Sequence, residues 1–228
     1  MTPRYNPFMQ IHKGLQAMLY HTALAIQHND FANQRSTSLV VDQVQKVLWL
    51  FEGHAHTEDS MVFPLIAEHA PEVVADFEAQ HETDHQLGAT LEAILEKVAA
   101  CNSSAECMAT GLELKRAFEK FIAFNLEHMI KEETIVAPII WQHYSDAELH
   151  ELTGRIVRAL PEDKNRHYTD WMLIGNSDAE VIQWLHQVRD TAPSFVYDGL
   201  CERARNVLNA DRWQYIETAM QTFAISNN

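Results

Sequence analysis

The chain has 228 residues, and 17 Lys plus Arg against 32 Asp plus Glu give a formal charge of −15. That acidity disfavours nucleic acid and anionic membrane surfaces as partners, since both would repel it. Gly and Pro number only 7 each, about half their average share, which argues against a many-stranded β protein and for long helices.

Helix 1 is predicted from about Asn6 to Asn29, with Phe8, Ile11, Leu15, Leu19 and Ile26 inward at helical spacing. After the polar stretch 33–38, helix 2 carries Val40, Val44, Val47 and Phe51 and should break at Pro71, which disfavours helix in the residue before it. Helix 3 carries Val74, Phe77, Leu91, Leu95 and Val98, and helix 4 carries Leu114, Phe118, Phe121, Ile135 and Ile139. The expected fold is all-α: an up-down four-helix bundle over residues 1–144. Residues 145–228 read as a helical extension of unknown role, opening shorter helices with the capping boxes Ser145-x-x-Glu148 and Ser177-x-x-Glu180.

No basic region followed by an apolar run opens the chain, and no apolar run approaches the ~20 residues of a membrane helix. Cys101, Cys107 and Cys201 are sparse and odd in number, which suggests reduced thiols in a cytoplasm. The extension is a candidate surface for self-association or for a protein partner.

The chemistry lies in a repeat. His54-Ala-His-Thr-Glu58-Asp59 precedes His128-Met-Ile-Lys-Glu132-Glu133 by 74 residues, and each copy carries a Pro ten residues after its His (Pro64, Pro138). The same offset takes His12 next to His85, so the bundle reads as a duplicated helical hairpin, with His81 as an extra member. At about 100° per residue the inward stripes run His54, Glu58, Met61, Leu65 in helix 2 and His128, Glu132, Ile135, Ile139 in helix 4. His81 and His85 share a side of helix 3, and His12 lies between Phe8 and Leu15. The other eight histidines fall off these faces and read as surface or structural residues.

Five imidazoles and two carboxylates pointing inward would each be costly without partners. Metal coordination satisfies all of them. Imidazole suits iron, zinc, copper and nickel. Seven ligands exceed what one ordinary ion takes and suit two six-coordinate ions bridged by both carboxylates, with one position open. Zinc, manganese or a single ion are the other readings of the same residues.

In their order, Ile11-His12-Lys13-Gly14-Leu15, His54-x-x-x-Glu58, His81-x-x-x-His85 and His128-x-x-x-Glu132 resemble the hemerythrin family, including bacterial proteins with a His-His-Glu cation-binding domain. The resemblance covers about residues 8–140. It implies a non-haem di-iron centre that binds O₂ or NO for sensing, storage or delivery. The alternative it implies is a redox enzyme acting on peroxide or NO, or an iron donor for iron–sulfur cluster repair. His81, His85 and His128 would hold one iron, His12 and His54 the other, with Glu58 and Glu132 bridging. Oxygen-carrying members place the second bridging acid five residues after the helix-4 His, which here is Glu133. Helix geometry favours Glu132, because five residues rotate about 140° and four about 40°.

Overall fold

The computed structural model describes residues 4–226, so the first three residues of the leader reading lie outside it. Among the described residues every regular element is helical, and no helix is long and apolar enough to cross a membrane. The bundle consists of α1 (Met9–His28), α2 (Gln34–Thr57), α3 (Pro71–Ala100) and α4 (Ser104–Lys131). Asn33 caps α2 and Ser103 caps α4 through their side-chain oxygens, satisfying backbone N–H groups that the first turn leaves open. Pro71 opens α3, where its missing N–H costs nothing.

Both long stripes were expected to run on unbroken, and both are displaced. A π-helical turn follows α2 at Glu58–Val62, and another follows α4 at Glu132–Val136, before α5 (Ala137–His143). In each copy the N–H just ahead of the repeat's proline, Phe63 or Ala137, reaches back five residues to the carbonyl of Glu58 or Glu132. Pro64 and Pro138 lack the N–H an α-helix would require and crowd the carbonyl four residues earlier, so the turn widens. The extra residue slides the stripe by one. Val62 and Ile66 are buried in place of Met61 and Leu65, and Val136 and Ile140 in place of Ile135 and Ile139. Ile135 is 43% exposed.

Residues after 144 form α6 (Asp146–Ala159), α7 (Glu162–Gly175), α8 (Asp178–Thr191), α9 (Ser194–Val207) and α10 (Ala210–Ser226). Ser145 and Ser177 form both expected capping boxes. The extension is divided among three apolar clusters. Leu149, Leu152 and Ile156 of α6 join Phe8, Phe63 and Phe77 at one end of the bundle. Tyr168, Trp171 and Met172 of α7 join the main bundle core. The last three helices close over Leu173 with Val181, Leu185 and Ile216.

The crossing of α7 on α1 is a backbone contact. A Cβ on Gly14 would lie 2.8 Å from the Met172 nitrogen, and one on Gly175 would collide with the Lys13 carbonyl. Glycine is required at both positions. Around the crossing, Asn176 donates to the Gln10 carbonyl (2.9 Å), Tyr168 donates to the Leu50 carbonyl (2.5 Å), and Lys13 pairs with Glu180.

The thiol expectation is corrected. Cys101 and Cys107 form a disulfide, because the short turn into α4 brings their Cα atoms to 5.3 Å, and Cys201 is free. A count of cysteines carries no information about that local reversal.

Candidate metal centre

Four helices each contribute one histidine to a buried layer at the end of the bundle where both π-turns lie. His12 of α1 and His54 of α2 form one pair, and His81 of α3 and His128 of α4 form the other. Glu58 and Glu132, the first residues of the two π-turns, lie between the pairs and are 2% and 0% exposed.

The carboxylates are shared oxygen by oxygen. Oε1 of Glu58 is 3.0 Å from Nε2 of His54 and 3.9 Å from that of His12, while its Oε2 is 3.5 Å from Nε2 of His81. Oε2 of Glu132 is 3.2 Å from Nε2 of His12, and its Oε1 is 3.4 Å from Nε2 of His128. Two four-residue groups result, His12–His54–Glu58–Glu132 and Glu58–His81–His128–Glu132, each with ligand atoms within 4.8 Å of one another.

These approaches lack hydrogen-bond geometry. Nε2 of His12, Nε2 of His54 and all four carboxylate oxygens of Glu58 and Glu132 are buried without a hydrogen-bond partner. Such orphaned groups are rare and costly in a native interior. On the other side the Nε2 atoms of His81 and His128 face each other at 3.2 Å. Two imidazole nitrogens at that distance need a proton or a cation between them. Cations at the two groups would satisfy every one of these atoms, with N and O donors suited to a borderline divalent metal.

The outward nitrogens of three of the imidazoles have partners. Nδ1 of His81 is 2.8 Å from Asp59, Nδ1 of His12 is 2.8 Å from Glu133, and Nδ1 of His128 is 3.2 Å from Gln80. A proton held on Nδ1 leaves the Nε2 lone pair aimed inward, the arrangement that orients metal-ligating histidines. The repeat's second acid thereby finds its place. Asp59 and Glu133 are equivalent residues of the two copies, and each reaches a histidine on a neighbouring helix rather than the centre itself.

Charge is strongly coupled here. Burial opposes charging His12, but Glu132, Glu133 and Glu58 outweigh it and hold its pKa well above the ordinary value. Burial also opposes charging His81, yet Glu58 and Asp59 raise it from 6.5 to about 9. Burial alone would raise Glu58, but His54, His12 and His81 hold it well below the ordinary carboxylate range.

Of the seven residues picked from the sequence, the structure brings six together and leaves His85 exposed, outside both groups. Its azimuth on α3 lies close to that of His81, but it sits one turn, about 6 Å, further along the axis. Beside it on α3, Asp84 accepts a hydrogen bond from the buried Asn125 of α4 at 2.6 Å. Sequence reasoning missed the roles of Asp59, Glu133 and Gln80. The first two carried a signal, the acid repeated after each Glu.

Residues 5–140 match the hemerythrin HHE cation-binding domain. The chain belongs to the hemerythrin HHE family. It is also similar to the zinc finger protein BRUTUS-like of Arabidopsis thaliana, 23% identical over 194 residues. That match takes in 82% of this chain and 15% of the plant protein. No solved structure matches the chain at a significant level. As a hemerythrin-like cation-binding domain, the bundle carries a His/Glu cluster able to hold metal.

Proposed function

We propose that His12, His54, Glu58, His81, His128 and Glu132 hold two iron ions and that the chain binds O₂ or NO at an open iron position. His12 and His54 would serve one ion, His81 and His128 the other, with both glutamates shared. The observation that carries this reading is the division of each carboxylate between two histidine pairs. Iron in such a site supplies reversible coordination of a diatomic gas and a change of oxidation state.

The chain's own residues set the conditions for that chemistry. Asp59 and Glu133 keep protons on Nδ1 of His81 and His12, fixing which nitrogen faces the centre. Phe63, Phe77 and Phe124 ring the second pair, with centroids 5.4–6.0 Å from His81 or His128. Such a dry wall limits water and proton access. His54 of the first pair lines a cavity instead, so the gas would be taken on that side.

The position of His85 supports a second reading. With two histidines on each ion, both ions would retain open positions, which suits turnover of peroxide or NO, or release of iron for cluster repair. Metal analysis, with optical spectra after anaerobic reduction and again after admission of O₂, separates the two. About two irons per chain and charge-transfer bands that reverse on removing the gas support gas binding. Immediate oxidation with no oxygenated spectrum supports the redox or donor role. Absence of iron overturns both.

A further inference from the structure

Between the bundle and the extension lies a cavity of about 160 Å³ whose inner end is His54 and Glu58. Phe8, Ile11 and Val62 form its bundle side, and Ile156, Leu160 and Met172 form the side supplied by α6 and α7. Val157, 46% exposed, stands at the outer end. The polar groups on its walls are neutral apart from the metal-facing pair: Thr57, Thr153 and Asn165 are examples. Nothing on the walls would compensate a charged ligand.

The cavity is held open by its frame. Gly14 and Gly175 fix the α1–α7 approach from backbone to backbone. The Tyr168 hydroxyl ties α7 to the Leu50 carbonyl, and the Asn176 amide ties its end to Gln10. An apolar cavity of roughly 150 Å³ is large enough for benzene or xenon, well beyond the need of a diatomic gas. It is also below the ~300 Å³ at which drug-sized ligands begin to fit.

We infer that the C-terminal extension builds a binding site for a small, neutral, apolar molecule of about benzene size, lying against His54 and Glu58, and that gases reach the metal through the same opening. The second half of this statement rests on the two-iron reading above; the first does not. The extension is then the wall that sets ligand size and polarity at the centre.

Benzene is the probe, measured by calorimetry on the full chain, both metal-free and iron-loaded. Saturable binding of about one molecule per chain is expected in both forms. Val157→Trp at the exposed mouth and Ile156→Trp on the inner wall should each weaken it by at least about tenfold. In iron-loaded protein, the rate of nitric oxide binding should fall by a similar factor in Val157→Trp, with its final affinity unchanged, because the mouth is narrowed and the coordinating atoms are untouched. No saturable benzene binding, or equal binding in the parent and both variants, overturns the site. Blocked benzene with an unchanged nitric oxide rate overturns the shared route. Benzene binding blocked by the variants in a protein that takes up no iron leaves the site standing and removes the two-iron reading instead.

Discussion

In the α1–α2 half of the bundle, His54 and Glu58 line a cavity shared with α6 and α7, with His12 buried behind them. In the α3–α4 half, His81 and His128 are packed among Phe63, Phe77 and Phe124. The ligand types are the same: one histidine from each helix, one glutamate from each π-turn, and one outer acid from each copy of the repeat. What differs is what stands beyond them. On the two-iron reading, a duplicated set of ligands would hold two ions in unequal surroundings, one among aromatic rings and one beside a cavity, without any change in coordinating residues.

Removing a shared carboxylate should erase the comparison altogether. Glu58→Ala or Glu132→Ala takes an oxygen from both groups, so metal analysis should show both ions lost rather than one. Glu133→Ala should keep both at saturating metal, since Glu133 meets Nδ1 of His12 and belongs to neither group, with the His12 side weakened.

Next in size is detachment of the extension. Gly175→Leu drives a side chain into the Lys13 carbonyl, and overpacking at a fixed backbone crossing costs about 1–3 kcal/mol or more. Thermal unfolding should reveal the loss, and the pair among the phenylalanines should keep its metal better than the pair beside the cavity.

The outer acids provide a finer comparison. Asp59→Asn should weaken metal binding at the His81 side and Glu133→Gln at the His12 side, each by about 10–100-fold, as loss of such orienting groups typically does. Competition with a chelator would resolve the two.

A pH series follows from His81, whose pKa in the metal-free protein rises from 6.5 to about 9. Because the folded value is the higher one, the protonated pair stabilises the metal-free chain fully below about pH 6.5 and loses that contribution as pH rises through about 9. A metal must displace this proton, so its affinity should climb with pH across the same window. Asp59→Asn should move that window downward.

The smallest effect is expected at His85. His85→Ala should leave metal content unchanged, since the residue lies outside both groups.

The helical class, the duplicated hairpin and the convergence of the His-x-x-x-Glu pairs were legible because heptad spacing places residues on a face. The same rotation separates Glu132, which is fully buried, from Glu133, which reaches Nδ1 of His12. Spacing fails where the helix changes pitch. An unbroken helix puts Met61 and Ile135 inward, and Pro64 and Pro138 mark where the turn widens without showing by how much. Spacing also gives azimuth and not depth, hence His85. The Gly14–Gly175 crossing depends on where distant segments meet, which no local pattern records, and the disulfide depends on how tightly the chain turns between Cys101 and Cys107, which a count of cysteines does not show.

The glycine crossing has a consequence for dissecting this molecule. Trimming the protein to its motif-bearing residues would cut across the place where two main chains touch most closely. The severed face of α1 would present bare peptide and the flanks of Leu15 and Met18 to water, and the shortened protein would be prone to self-adhesion there. Loss of gas or metal binding in such a fragment would then report a wound in the scaffold, and assigning it to missing chemistry in the discarded helices would be a misattribution.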